Sequence, residues 1–179
     1  MKTITIVTAF LLILSISNSQ VPAPTLQQGE YWTQLFSAWT DYQTNGSIRY
    51  IVQNPADPLD LCAVLMAHED STQFSQFGRF VYYAYSTDRG RNWAKSVLDT
   101  TTYFGYPCID VRNGIPVISM HTRGAPPQRT YVLSDVSFGG FSFTHFSGIP
   151  SNLNVEWPNL TVSNNGNIIV AVSQSLIVD

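Results

Sequence analysis

Tyr106-Pro107-Cys108-Ile109-Asp110-Val111-Arg112-Asn113-Gly114-Ile115-Pro116-Val117-Ile118 and Trp157-Pro158-Asn159-Leu160-Thr161-Val162-Ser163-Asn164-Asn165-Gly166-Asn167-Ile168-Ile169-Val170 are two copies of one pattern. Each reads aromatic-Pro, a β-favouring run, an Asn/Gly turn and a second β-favouring run, which is the pattern of a hairpin. The leading aromatics stand 51 positions apart. A second pair keeps a similar period: Tyr83-Ala84-Tyr85-Ser86 followed by Trp93, and Tyr131-Val132-Leu133-Ser134 followed by Phe141, are 48 positions apart. A weaker hairpin copy runs from Ile48 to Gln53, turns through a Pro- and Asp-rich segment and returns from Leu61 to Ala67.

A unit of about 50 residues holding four short strands is the size of one β-propeller blade. The predicted strands are 48–53, 61–67, 79–86 and 92–98 in a first blade (about 47–98). They are 107–112, 116–121, 130–134 and 141–146 in a second (about 106–147), then 160–163 and 167–173 at the start of a third (about 157–179). The predicted fold is all-β, with antiparallel four-stranded blades, about two and a half of them against roughly 4–8 in a closed ring. Ile177-Val178-Asp179 is still strand-like sequence, and a strand without neighbours exposes unpaired backbone groups. The expectation is therefore an incomplete propeller, the N-terminal part of a longer one; the alternative is a ring assembled from several short chains. Glu30 to Tyr42, rich in Trp and Tyr, belongs either to a strand closing the ring or to a surface-packed arm.

Composition points the same way. The 179 residues are 44% hydrophobic and 13% aromatic but only 12% charged, which excludes a disordered tail or a coiled coil. A net charge of -3 leaves no basic patch for nucleic acid. Lys2, the apolar run Ile4 to Ile16 and the small residues Ser17-Asn18-Ser19 form a signal peptide over 1–19, with Gln20 as the new N-terminus. The apolar run is short of the roughly 20 residues that span a bilayer; an uncleaved anchor is the alternative. The expected location is secreted or extracytoplasmic (cell surface or periplasm included), with no membrane association after cleavage. An arm over 20–46 then precedes the partial propeller over 47–179. Cys62 and Cys108 both sit in apolar strand-like runs, so they either pair in an oxidising compartment or remain buried thiols. Asn45-Gly46-Ser47 and Asn159-Leu160-Thr161 match the glycosylation acceptor pattern of a eukaryotic exported chain.

One motif is specific. Ser86-Thr87-Asp88-Arg89-Gly90-Arg91-Asn92-Trp93 fits S-x-D-x-G-x-x-W. Ser86 and Asp88 can bond turn amides, Gly90 can take a positive φ, and Trp93 can fold back over the hairpin. The stretch resembles the Asp-box of the sialidase-like propellers (BNR repeats), which carry it between the third and fourth strands of a blade. Ser134 to Phe141 resembles a decayed copy, with one extra residue and no Asp in the expected place. The resemblance covers about 48–175. It implies an architecture, since the box lies away from the substrate face in that family.

Candidates for chemistry follow from the blade layout. The loop after the second strand opens on the face of the central pocket, and here such loops begin His68-Glu69-Asp70 and His121-Thr122-Arg123. A carboxylate and an Arg on one concave face suit an anionic or polyhydroxyl sugar; the plainer alternative is a solvated loop with a capping His. For an active member the resemblance implies three Arg on the substrate carboxylate, a Tyr nucleophile assisted by Glu, and an Asp acid/base. The first Arg belongs to an [FY]-R-I-P motif, and Ile48-Arg49-Tyr50-Ile51 matches the Arg but lacks the leading aromatic and the Pro. Asp70, beside Glu69, is the nearest carboxylate to the acid/base position, though closer to its strand than the family places it. The remaining Arg and the Tyr–Glu pair would fall in blades this chain lacks, so the part in hand is expected to be inactive alone.

Other chemistries find no support. His68, His121 and His145 have no metal-ligand spacing, the cysteines are too few for a zinc site, and no cofactor motif or G-x-S-x-G elbow occurs. Gly139-Gly140 suits a hairpin turn. A glycosidase outside the sialidase scheme needs two facing carboxylates; Glu69 or Asp70 with Glu156 or Asp110 would supply them. The expected function is an exported Asp-box propeller that acts on terminal sugars as a sialidase-like exo-glycosidase when whole. The alternative, which the imperfect Arg motif favours, is a non-catalytic secreted propeller binding glycans or glycoproteins.

Overall fold

The computed structural model describes residues 35, 39–40, 49–68, 80–98, 104–122, 127–146 and 153–174. The expected signal peptide, most of the arm, the Asn45 acceptor, Glu69, Asp70 and Arg123 lie outside the described residues. Eleven antiparallel strands and no helix are described, all within the unit Trp32–Asp179. β1 (Trp39–Thr40), β2 (Ile51–Asn54), β3 (Asp57–His68), β4 (Phe80–Ser86) and β5 (Ala94–Val97) form a first sheet. β6 (Phe104–Arg112), β7 (Ile115–Thr122), β8 (Thr130–Asp135) and β9 (Phe143–His145) form a second, and β10 (Val155–Val162) pairs with β11 (Ile168–Gln174) in a third. The runs β2-β3-β4-β5 and β6-β7-β8-β9 are the two predicted four-stranded meanders. Of the arm, Trp39 and Thr40 pair with His68 and Ala67, which joins them to the first sheet.

Three local differences from the predicted strands have clear causes. The first hairpin turns on Pro55 and Ala56 alone, and Asp57 already belongs to β3. Asn54 Oδ1 accepts the Ala56 N–H at 3.0 Å and Asp57 Oδ1 accepts the Leu59 N–H at 2.9 Å, so these polar residues stiffen the hairpin end instead of lengthening its loop. β6 and β10 both begin earlier than predicted because the aromatic-Pro pair lies inside the strand as a bulge. The register shifts between Gly105 and Cys108 and between Glu156 and Asn159, with Tyr106 at φ 53° and Trp157 at φ 54°. Proline cannot donate to the ladder, and a bulge absorbs the gap. The Asn113–Gly114 turn is as the sequence predicts: both residues have positive φ (51° and 79°), the type I′ hairpin geometry.

Apolar side chains fill the spaces between sheets. Val52, Cys62, Val64 and Tyr83 of the first sheet meet Ile109, Val111 and Ile118 of the second. Phe141 and Phe143 present ring edges to Tyr83 at centroid distances of 5.4 and 5.5 Å. A second cluster joins Cys108, Val117 and Val132 to Leu160 of the third sheet. The disulfide alternative is thereby corrected: Cys62 and Cys108 are free, buried thiols in different clusters. Burial pushes the Cys62 thiol up, which makes it inert. The Cys108 sulfur instead accepts the Leu160 N–H at 3.3 Å.

The first strands of the three units lie side by side. The Ile109 N–H donates to the Arg49 carbonyl at 3.0 Å, just before β2. The Leu160 and Val162 N–H groups of β10 donate to Cys108 Sγ and to Asp110 Oδ2 of β6, the latter at 2.8 Å. Successive sheets are thus fastened at their first strands by bonds that leave each sheet's own ladder.

Two turns close the meanders at one end. In the β4–β5 turn, Ser86 Oγ donates to Asp88 Oδ1 at 2.8 Å and accepts the Gly90 N–H at 2.8 Å. Asp88 accepts the Asn92 backbone N–H at 2.9 Å and its side-chain amide at 2.6 Å, and Trp93 Nε1 donates to the Gly90 carbonyl at 2.9 Å. Gly90 (φ 80°) lets the indole close over the turn, since a Cβ there would sit 3.2 Å from Trp93 Cζ2. In the β8–β9 turn one buried residue does this work. Asp135 accepts the N–H groups of Val136 (2.9 Å) and Ser142 (3.2 Å) on Oδ1, and those of Gly140 (3.0 Å) and Phe141 (3.3 Å) on Oδ2.

These turns generate two expectations. Gly139 (φ 69°) faces the Tyr85 ring, where a Cβ would approach to 2.6 Å, whereas Gly114 (φ 79°) meets nothing nearer than 3.7 Å. Gly114→Ala is expected to cost about 1–2 kcal/mol from backbone strain alone, and Gly139→Ala more because the ring must also move; urea unfolding compares them. Asp88 is held at about 2, below its ordinary 3.8, by the Asn92 backbone bond first and then the Asn92 and Ser86 side chains. Its folded value is depressed, so its stabilising contribution is full above the ordinary value and is lost as pH falls through about 2. Thermal unfolding followed from pH 5 to pH 2 should therefore show a smaller acid loss in Asp88→Asn than in the native protein.

Candidate functional site

The sheets have two distinct ends, and the candidate residues divide between them. The turn end carries the hairpins at 55–56, 113–114 and 164–166 together with the S-x-D-x-G-x-x-W residues Ser86, Asp88, Gly90 and Trp93. A cleft of about 500 Å³ opens there, lined by Arg49, Asp110, Asn113, Thr161, Ser163 and Asn164 among others. Arg49 Nη1 pairs with Asp110 Oδ1 at 2.7 Å, the carboxylate being 12% exposed and the arginine side chain 48%. Asp110 also accepts the Val111 N–H at 2.8 Å, the Val162 N–H at 2.8 Å and the Thr161 hydroxyl at 3.3 Å. Arg49 is therefore committed to a structural carboxylate. Asp110, filled by four donors, has no lone pair positioned for proton transfer, which removes it from the facing-carboxylate pairs considered above.

The opposite end holds His121. Its ring is buried (2% exposed) and lies nearly parallel to Tyr106, with centroids 5.0 Å apart and planes 10° apart. Trp157 leans on both rings, at 4.1 Å from Tyr106 and 5.5 Å from His121. His121 Nδ1 lies 2.8 Å from the Thr122 carbonyl and 2.8 Å from Gln128 Oε1. Both partners are acceptors, so Nδ1 carries the proton and the ring is locked in one orientation. The network continues: the Gln128 N–H donates to Asn154 Oδ1, and Asn154 Nδ2 donates to Glu156 Oε1 at 3.2 Å. A Glu carboxylate is thus wired to an aromatic cluster at the end where the loops after β3 and β7 emerge.

The sequence candidates fare differently. His121 is at this end, Arg49 is drawn to the other, and the backbone of His68 pairs with Trp39. Glu69, Asp70 and Arg123 lie outside the described residues. Tyr106 and Trp157 mark the repeat in the sequence, and the doubled aromatic-Pro, unusual inside a strand, is the signal that sets them apart. Gln128 and Asn154 left no signal, since a 26-residue separation brings them together only in the fold. No family model matches the sequence, and no curated protein is significantly similar to it.

The Arg49–Asp110 arrangement is asymmetric, and stability should reveal it. Asp110→Ala strands the Val162 N–H and the Thr161 hydroxyl and is expected to cost about 2–4 kcal/mol. Arg49→Ala removes a half-exposed, solvent-screened partner and is expected to cost about 1 kcal/mol or less. Chemical unfolding of the two variants decides; equal losses would contradict this division of roles.

Proposed function

We propose that this chain is an exported propeller of the sialidase-like, Asp-box class, whose two four-stranded sheets and third hairpin are consecutive blades, and that it binds glycans. The observation that carries the reading is the β4–β5 turn, where Ser86, Asp88, Gly90 and Trp93 each make the contact that the motif's mechanics require. Fastening of successive sheets through their first strands supports it, because blades arranged around an axis meet along those strands. The binding face in this reading is the end carrying His121, remote from the box turns, and the partner is a carbohydrate or glycoprotein.

Binding is favoured over hydrolysis. The Arg that the family's substrate carboxylate would need is paired with Asp110 at the turn end. Exo-glycosidase action on terminal sugars is the second reading, supported by the Glu156 carboxylate held by Asn154 near the aromatic cluster. A glycan array probed with the purified protein, alongside a fluorogenic sialoside, separates the two. Retention of glycans without turnover, unchanged in Arg49→Ala, is the expected result. Sialoside turnover that collapses in Arg49→Ala would establish hydrolysis instead, and a silent array would overturn the glycan reading.

A further inference from the structure

Five residues other than glycine have positive φ: Arg89, Tyr106, Asn113, Phe141 and Trp157 among the described residues. Arg89 and Asn113 are turn residues. Phe141 is bulky, but its ring enters the core against Tyr83 and Tyr85, and burial offsets the strain. Tyr106 and Trp157 are different. They hold the left-handed conformation within strands, at matching places in two repeats, and Trp157 remains 41% exposed. A left-handed backbone is a strained state for an aromatic residue, and such strain persists at sites that use it. The Trp157 ring rests on Tyr106 and His121 yet stays exposed and outside the apolar clusters, so burial offsets less of the strain there than at Phe141.

What the bulges achieve is placement. They bring the two rings to 4.1 Å, over a buried imidazole that the Thr122 carbonyl and the Gln128 amide oxygen hold still. Trp157 thereby becomes an outward aromatic surface fixed from below. Beside it in sequence, the half-exposed Glu156 carboxylate accepts one bond from Asn154 on Oε1, and Oε2 takes none among the described residues. An exposed ring face, with a carboxylate tied to the same end through Asn154, Gln128 and His121, offers the two kinds of contact that a sugar uses. The negative face of the indole suits the polarised C–H face of a pyranose ring, and a carboxylate accepts from sugar hydroxyls. The same carboxylate repels an anionic sugar; Arg49 is ion-paired at the other end, and Arg129, exposed beside Gln128, is the described cation at this end.

We infer that Tyr106 and Trp157 form a preorganised stacking platform for a neutral terminal hexopyranose, with Glu156 as hydroxyl acceptor. This rests on the glycan-binding reading and narrows it to uncharged sugars. Calorimetric titration of the purified protein with lactose, cellobiose, methyl α-mannopyranoside and 3′-sialyllactose tests it. At least one neutral sugar should bind, and more tightly than 3′-sialyllactose. Trp157→Asn keeps a residue type at ease in the left-handed backbone and deletes the ring, so it should fold with an undiminished Tm while binding weakens by about tenfold or more; Tyr106→Asn is the second variant. Neutral-sugar binding that survives in both folded variants, or tighter binding of 3′-sialyllactose, overturns the platform and leaves the glycan reading standing. No binding here, with a silent glycan array, overturns both.

Discussion

A single buried carboxylate holds the three sheets in register. Asp110 sits on the first strand of the middle sheet and accepts the Arg49 guanidinium from one side and the Val162 N–H and Thr161 hydroxyl from the other. A carboxylate with so little exposure is stable only when its lone pairs are filled, and here neighbouring sheets supply most of the donors. The sheets must therefore approach closely along their first strands. Cys108, two residues earlier, repeats the arrangement in weaker form through the Leu160 N–H. The apolar clusters pack the rest of the space between the sheets.

That constraint divides labour between the two ends. At the turn end, polar side chains are consumed by backbone amides: Asp88 and Ser86 in one turn, Asp135 in the next, Asn54 in the first hairpin. Little chemistry is left over there, and Arg49 is absorbed with the rest. At the loop end, aromatic rings and a carboxylate are held by a thin hydrogen-bonded network and remain partly open to solvent. The strained backbone of Tyr106 and Trp157 lies at this end. The fold thus places its satisfied turns at one end and a partly exposed aromatic surface at the other.

Local pattern made much of this legible. The Asn113–Gly114 turn and the Ser86–Trp93 turn depend on residues close in sequence, and both take the form that those residues predict. The β8–β9 turn was partly legible: no Asp stands two positions after Ser134, and Asp135 at the strand end accepts the turn amides instead. The fate of Arg49 was not legible. As an Arg in an incomplete motif it suited a substrate carboxylate, and only the approach of β6 shows that a protein carboxylate takes that place. Likewise, aromatic-Pro at 106 and 157 announces a repeat, while the bulge that turns those rings outward depends on the register of the partner strand.

Amide hydrogen exchange followed by NMR reads whether successive sheets are fastened along their first strands. The N–H groups of Ile109, Leu160 and Val162 point away from their own ladders, to Arg49, Cys108 and Asp110 on the neighbouring unit. They are expected to exchange as slowly as the ladder amides of β7, because only concerted separation of the sheets exposes them. Exchange of these three at the rate of loop amides, with β7 still protected, would contradict the account by showing that the sheets fold but do not meet there.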